Sequence, residues 1–187
     1  MCAVLVVAVS CRGSDSADQP AGDTTTAALP PAPVSPAGPT DAEIAHIVVT
    51  ANTIDIEAAE QASQKAQNAE VKQFARTMIT DHTAVNQQAG QLAQSLSLTP
   101  SDNAVSQQLK TQADSAKANL ATMSGAGFDR AYIGREVAYH QAVLNALDQT
   151  LIPAAQNAQL KALLEQSRPA FAAHLQAAQQ LQTKLGS

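Results

Sequence analysis

The stretch that decides the fold is NAEVKQFARTMITDHTAVNQQAGQLAQSLS, residues 68–97. Asn68 offers a side-chain cap for a helix start, and in the following segment the residues of one mostly apolar face recur every three or four positions. That face consists of Val71, Phe74, Met78, His82, Val85, Ala89, Leu92 and Leu96. The pattern predicts an amphipathic helix that extends to about Ser97 and places a histidine among its buried residues.

The segment before this stretch predicts a partner helix of similar length. Thr40 and Glu43 match a capping box, in which the hydroxyl and the carboxylate satisfy free amides of a helix start. The helix extends to about Gln67, and its apolar spacing is helical throughout. The apolar positions are Ile44, Ile47, Ala51, Ile54 and Ala58.

Three further helices are predicted beyond Thr99–Ser101, where Pro100 breaks the chain. The third, Asp102 to Met123, has few large apolar residues, which favours a peripheral or crossover position. The fourth begins near Phe128 and is stopped by Pro153. The fifth closes the chain, and we expect Pro169 to kink or restart it, because proline removes an intrahelical hydrogen bond.

The connections between these helices indicate how they pack. Helices 1 and 2, and helices 4 and 5, are joined by a few residues each, so each pair predicts an antiparallel hairpin. Helix 3 is long enough to carry the chain from one end of a bundle to the other. The prediction is therefore all-α, a ferritin-like antiparallel four-helix bundle of two hairpins with an additional crossover helix. An up-down bundle with helix 3 in the core is the alternative.

Composition narrows the class of protein. Charged residues make up 14% and aromatic residues 3%, whereas apolar residues reach 45% and are mostly small, which suits closely packed helices. The formal net charge is −5 and no cluster of Lys or Arg occurs. A nucleic-acid partner is not expected, since such binding requires a basic face.

Both cysteines lie at the N-terminus, at Cys2 and Cys11. The apolar run Ala3–Val9 is too short to span a bilayer but is typical of an export signal. Its end, residues 8–11, is similar to a lipobox, which would make Cys11 the lipidated anchor to a membrane. Arg12 after that cysteine favours the outer membrane of a diderm host. A cleaved signal with an incidental cysteine is the alternative.

The sequence thus divides into three parts. Residues 1–11 are predicted to be a signal peptide with a lipobox-like end. Residues 12–39 are rich in Pro, Ser, Ala and Thr, which predicts a disordered tether without a core. Residues 40–187 are predicted to be the bundle domain, held in the periplasm by the anchor.

Three of the four histidines lie in the apolar stripes of separate helices: His82, His140 and His174. Each is about fourteen to eighteen residues from a hairpin turn, so we expect all three near mid-height of the bundle. Glu57 lies at a similar height on helix 1, and Glu136 is one turn before His140. Such a set of imidazoles and carboxylates suits Fe, Mn or Zn.

A purely structural interpretation of the same residues stays open. Buried histidines are often neutral and hydrogen-bonded within a polar network. The candidate network members are Asp55, Asp81, Asp129 and Tyr132. A ferritin-type dinuclear site also requires Glu-x-x-His on two helices, whereas this chain offers Asp81-His82 and a Glu136 four residues before His140. Asp129 is most simply a charge that favours the N-terminus of its own helix.

The motifs together resemble the ferritin-like bacterial family known as domain of unknown function 4142. The matching segments are Val71–His82 preceded by Asp55-Ile56-Glu57, then Phe128–Tyr132 with His140, Leu160-Lys161 and Pro169–Leu175. The resemblance implies an exported protein, and many members are described as outer-membrane proteins. It implies no activity. Relatives commonly carry Glu where this chain has Asp55, which shortens the reach of that carboxylate.

Three classes of function follow from these observations. The first is an envelope lipoprotein whose bundle binds a metal ion, with a redox or oxidase-type di-metal bundle as a variant. The second is a structural protein that contacts another envelope protein or a second copy of itself. A hydrolase ranks last, since no nucleophile lies in a recognisable pattern beside a histidine and a carboxylate.

Overall fold

The computed structural model describes residues 38–186 and contains helices but no strand within that range. The predicted signal segment, the Cys11 anchor and the tether up to residue 37 lie outside the described residues. The helices are α1 (Asp41–Lys65), α2 (Ala69–Ser95), α3 (Ala104–Ala121), α4 (Gly125–Ala146), the short α5 (Ile152–Ala154) and α6 (Ala158–Leu185). A π-helical turn, Leu147–Leu151, joins α4 to α5. The all-α prediction is confirmed.

Both predicted helix starts of the first hairpin are observed. The Glu43 N–H donates to Thr40 Oγ1 (3.3 Å) while the Thr40 N–H donates to Glu43 Oε2 (2.8 Å), which completes the capping box. Asn68 Oδ1 accepts from the amides of Glu70 and Val71 at the start of α2. Local side-chain chemistry therefore sets where these helices begin.

Three predictions in the second hairpin require correction in detail. Helix α4 begins at Gly125 rather than near Phe128, because the Phe128 N–H already donates to Ser124 O as part of the first helical turn. Pro169, expected to kink or restart the last helix, does not restart it, because α6 continues through the proline as one element. Pro153 lies in α5 just after the π-helical turn, and the helical conformation ends at Ala154 rather than at the proline.

The four long helices form a bundle of two antiparallel hairpins. Helix α1 packs along α2, α4 packs along α6, and the hairpins meet through α2 against α6 and α1 against α4. Helix α3 carries the chain from the end of α2 back to the start of α4, along the outside of α1. Only Ser106 and Leu120 of α3 are buried. This is the ferritin-like arrangement with a peripheral crossover helix, as predicted.

The two hairpin turns have the same sequence and are held in the same way. Residues 66–69 and 155–158 are both Ala-Gln-Asn-Ala. Asp129 of α4 accepts the amides of the first turn at Gln67 and Asn68 (3.1 and 2.8 Å). Asp41 of α1 accepts the corresponding amides of the second turn (2.9 Å each). Each hairpin thus binds the turn of the other hairpin through an aspartate, one at each end of the bundle.

The apolar core is interrupted at mid-height. One hydrophobic cluster, around Phe74, Phe128 and Tyr132, lies near the α1–α2 turn, and a second, around Ile44 and Leu164, lies near the opposite end. Along each of the four long helices, buried polar residues lie between the two clusters. We call this set the polar layer; it comprises Asn52, Asp55, His82, Glu136, His140 and His174.

Candidate metal centre

The side chains of the polar layer are almost entirely buried. Asp55 and Glu136 are 0% exposed, and the three histidines are between 1% and 5% exposed. One ligating atom from each of His82, His140 and His174 lies within 4.8 Å of those from the other two. Their ring centroids are 5.3 to 5.6 Å apart. Three imidazoles from three helices therefore converge on one point.

One nitrogen of each ring is held by an oxygen that can only accept a hydrogen bond. His82 Nδ1 is 2.7 Å from Asn52 Oδ1, and His174 Nε2 is 2.9 Å from Asp81 Oδ2. His140 Nδ1 is 3.0 Å from the backbone oxygen of Glu136. These nitrogens must carry the hydrogen, so in a neutral ring the opposite nitrogen presents a lone pair.

The opposite nitrogens are the ones left without hydrogen bonds. His82 Nε2, His140 Nε2 and His174 Nδ1 are buried and have no hydrogen-bond partner within residues 38–186. Asp55 Oδ2 is also buried and unpartnered there; it lies 3.0 Å from His82 Nε2, but the contact lacks the geometry of a hydrogen bond. In metal-binding histidines, one ring nitrogen is commonly hydrogen-bonded to an oxygen, which orients the ring, and the other ring nitrogen binds the metal. The three rings have this arrangement.

Electrostatics keeps these rings available as ligands. Burial lowers the pKa of His82 to about 4, although Asp55 opposes the shift. Burial also lowers the pKa of His140. Both rings are consequently neutral at pH 7, the state in which imidazole binds metal ions.

A carboxyl pair and an arginine adjoin the histidines. Arg135 Nη1 lies 3.2 Å from Asp55 Oδ1 and also contacts Glu136 Oε1. Burial and the neighbouring Asp55 raise the pKa of Glu136 well above its usual value. Burial of Asp55 is outweighed by His82, His140 and Arg135, which lower its pKa. The pair thus holds one negative charge, opposite the guanidinium.

The structure does not bring Glu57, the acidic ligand expected from helix 1, to this centre. Its side chain is 51% exposed and pairs with Lys117 Nζ at 3.0 Å. Asp55, two residues earlier and about 200° around the helix, is the α1 carboxylate that faces the histidines. Glu136 is buried beside His140, with its Oε2 atom 3.5 Å from His140 Nδ1.

The residues expected in a structural polar network have separate positions. Asp81, the neighbour of His82 in the sequence, lies at the edge of the polar layer and is hydrogen-bonded to His174 Nε2. Asp129 does not serve its own helix; it binds the amides that precede α2. The Tyr132 hydroxyl, expected in a network, is buried with no hydrogen-bond partner in the described part of the chain, while its ring packs on Phe128 and Phe74.

Sequence reasoning missed two residues of the centre, Asn52 and Arg135. Asn52 lies one helical turn before Asp55 and donates its amide hydrogen to Val48 O (3.0 Å), which turns its oxygen towards His82. Arg135 lies one turn before Tyr139, on whose ring its guanidinium stacks at 4.8 Å from the centroid. The signals available in the sequence were the three-residue spacing from Asn52 to Asp55 and the four-residue spacing from Arg135 to Tyr139.

A cavity of about 1150 Å³ between α1, α3 and α4 reaches the polar layer. Its walls are mostly apolar, and Asn52, His82, Arg135 and Phe171 lie among them. The cavity therefore leads from the side of the bundle to His82 and offers an entry path for an ion.

The fold and the buried histidines define a class: all-α bundles with a polar centre built from facing helices. The chain belongs to the family described as domain of unknown function DUF4142, whose model matches residues 24–181. No protein of curated function matches the sequence.

Solved structures similar to this bundle include the following two. One is CopM in the Cu(II)-bound form, with 21% identity, a TM-score of 0.60, and coverage of 78% of this chain and 98% of CopM. The other is a DUF305 protein from Streptomyces coelicolor, described as secreted, with 12% identity, a TM-score of 0.65, and coverage of 79% and 94%. At such identities the likeness shows the fold. None of the helices in residues 38–186 is long and apolar enough to cross a membrane.

Proposed function

We propose that this protein binds one divalent transition-metal ion in the polar layer, through His82 Nε2, His140 Nε2 and His174 Nδ1, with Asp55 Oδ2 as the carboxylate ligand. The observation that carries the proposal is the set of open ring nitrogens. All three are buried, all three belong to rings whose other nitrogen is held, and the rings converge. Buried polar atoms without partners are costly, so their clustering favours a ligand.

The donor set indicates which ions fit. Imidazole nitrogens favour Zn and Cu over Mn, and at a given site Cu(II) binds more tightly than its first-row neighbours. Asp55 adds the one negative charge that partly offsets a divalent ion. We therefore expect copper or zinc. The Cu(II)-bound state of CopM, a bundle of the same fold, supports the inclusion of copper beside the Fe, Mn and Zn that the sequence suggested.

The proposal includes export to the cell envelope. The apolar run Ala3–Val9, the lipobox-like residues 8–11 and a similar bundle described as secreted support it. A bundle tethered through Cys11 would bind or buffer metal ions outside the cytoplasm. Labelling with a radioactive fatty acid in the native host, compared with Cys11→Ser, tests the anchor; label on the serine variant would refute it.

The metal proposal is tested by metal content. The full chain with Cys2 and Cys11 replaced by serine, so that thiols do not contribute, is stripped with a chelator and exposed to equimolar Cu(II), Zn(II), Fe(II) and Mn(II). After gel filtration, elemental analysis should find about one copper or zinc ion per chain. Electron paramagnetic resonance of the Cu(II) form should show nitrogen coupling from imidazole.

Matched variants make this experiment decisive. His82→Ala with His140→Ala should abolish metal retention, whereas His46→Ala should retain it, because His46 contacts Ser106 Oγ near the end of the bundle. No retained metal in the unmodified bundle, or equal retention in the double variant, would refute the proposal. The polar layer would then be structural, as the alternative from sequence allows.

A further inference from the structure

A second, overlapping group of potential ligands adjoins the three histidines. Ligating atoms of Asp55, Glu136 and His140 also lie within 4.8 Å of one another, and His140 belongs to both groups. Glu136 Oε2 and Asp55 Oδ2 are buried and have no hydrogen-bond partner in the described bundle. Because His140 Nε2 is already a ligand of the first ion, the donors for a second cation are carboxyl oxygens of Asp55 and Glu136, with Asp55 shared between the two ions.

That second position already has a cation on it. Nη1 of Arg135 contacts both carboxylates, at 3.2 Å from Asp55 Oδ1 and in a short contact with Glu136 Oε1. The arginine side chain is only 15% exposed, while both carboxylates are fully buried. Its guanidinium keeps its charge at any physiological pH. Each carboxyl group thus has one oxygen on the arginine. The other oxygen of Asp55 lies 3.0 Å from His82 Nε2, and the other oxygen of Glu136 lies 3.5 Å from His140 Nδ1.

The position of the guanidinium is fixed by the surrounding helices. Arg135 stacks on the ring of Tyr139, one turn along α4, at 4.8 Å. The Tyr139 hydroxyl donates to Ala51 O on α1 at 2.8 Å, so the ring is held between the two hairpins. Displacement of a guanidinium that is stacked and paired in this way costs much free energy, because a buried charge without its partners is strongly destabilising.

We propose that Arg135 is a built-in cation that occupies the carboxyl pair and limits the centre to a single metal ion. This inference rests on the proposed metal function and specifies its stoichiometry. A divalent ion on Asp55 and Glu136 would lie beside both the guanidinium and the first ion. Like charges a few ångströms apart in a buried site repel strongly, so the second ion cannot compete while Arg135 is present.

The test is the number of zinc ions bound by Arg135→Gln. Glutamine keeps much of the length of the side chain but removes the charge. Zinc titration of the cysteine-free full chain, followed by elemental analysis, should give about one ion for the parent protein and about two for Arg135→Gln. The matched control is Arg168→Gln, which removes a guanidinium from an exposed pair with Asp148 (2.6 Å) and should leave about one.

A second variant locates the extra ion. Arg135→Gln combined with Glu136→Gln should return to about one ion, because it removes a ligand of the second position only. The backbone oxygen of Glu136, which holds His140, is kept by that substitution. Two ions in this double variant would overturn the assignment of the second position to the carboxyl pair.

The outcomes separate this inference from the proposal it extends. One ion in both the parent and Arg135→Gln overturns the role of Arg135 but leaves the metal function intact. No ion in the parent and one in Arg135→Gln refutes the proposed function yet supports exclusion by Arg135; no ion in either refutes both. If Arg135→Gln is unfolded without metal by circular dichroism, refolding that requires two zinc equivalents supports the inference, and failure to refold at any ratio overturns it.

Discussion

The two hairpins of this bundle share their turns and differ in their inner faces. In both, an asparagine in an Ala-Gln-Asn-Ala turn caps the second helix, and an aspartate from the other hairpin binds the two turn amides. Asp129, which binds the first turn, is 2% exposed, whereas Asp41 is only partly buried. The repeated turn chemistry fixes where each hairpin reverses, and therefore which residues reach mid-height.

At mid-height the hairpins contribute different groups. The first hairpin supplies Asp55, His82 and the Asn52 that orients it. The second supplies His140 and His174 as well as the Arg135–Glu136 pair. Neither hairpin holds three of the converging imidazoles by itself. The comparison teaches that the turns act as a common scaffold, while the centre depends on correct docking of two unlike halves.

The largest effect should come from removal of one imidazole from either half. His82→Ala in the first hairpin and His140→Ala in the second should each weaken zinc binding by more than about 1000-fold, or about 4 kcal/mol, since each removes a direct ligand. Competition with a chelator of known affinity measures this, with His46→Ala as the control. Unchanged affinity in His82→Ala would mean that His82 is not a ligand of the ion.

A second test uses the acid stability of the metal-free chain. The pKa of His82 is lowered to about 4 by burial, so between there and its ordinary 6.5 the unfolded state binds the proton and the folded state does not. This contribution to stability is complete above about pH 6.5 and is lost as the pH falls towards 4. It amounts to about 3 kcal/mol of unfolding free energy.

Urea unfolding at pH 7 and pH 4 measures this contribution. The difference between the two pH values should be smaller in His82→Gln than in the parent chain, and smaller also in His140→Gln of the other hairpin, whose pKa burial lowers in the same direction. The same difference in His82→Gln and in the parent would show that His82 does not resist protonation. His46→Gln, at a partly buried histidine outside the polar layer, serves as the control.

The positions of the histidines could be predicted from sequence, because helical spacing alone puts them in apolar stripes. The rotation of α1 about its own axis could not be predicted from the sequence. Glu57 lay at the edge of its stripe, and packing against α2 and α3 turned it outward to Lys117 while it turned Asp55 inward. Contacts between distant segments, such as that of Asp129 with the α1–α2 turn, cannot be recognised from the local sequence. The indication available for this contact was the repeat of Ala-Gln-Asn-Ala at both turns.

A third test compares the two turn-binding aspartates. Asp129→Ala should lower the unfolding free energy by about 2 kcal/mol, because it leaves two partly buried backbone amides without their buried, charged acceptor. Asp41→Ala should cost about 1 kcal/mol, since its turn is more accessible and water can replace the carboxylate. Chemical denaturation of both variants checks the order. Equal losses would show that burial does not distinguish the two turns.

The smallest effect is expected at Glu57, the residue that helical spacing had favoured as a ligand. Its partner Lys117 belongs to the crossover helix, and both side chains are about half exposed, so solvent screens the pair. Glu57→Ala should change neither the zinc affinity nor the melting temperature measurably. Asp55→Ala, only two residues away, should weaken zinc binding, because its carboxylate faces the imidazoles from the same helix. If Glu57→Ala were the more damaging of the two, α1 would have to be rotated about its axis so that Glu57, and not Asp55, faced the second hairpin.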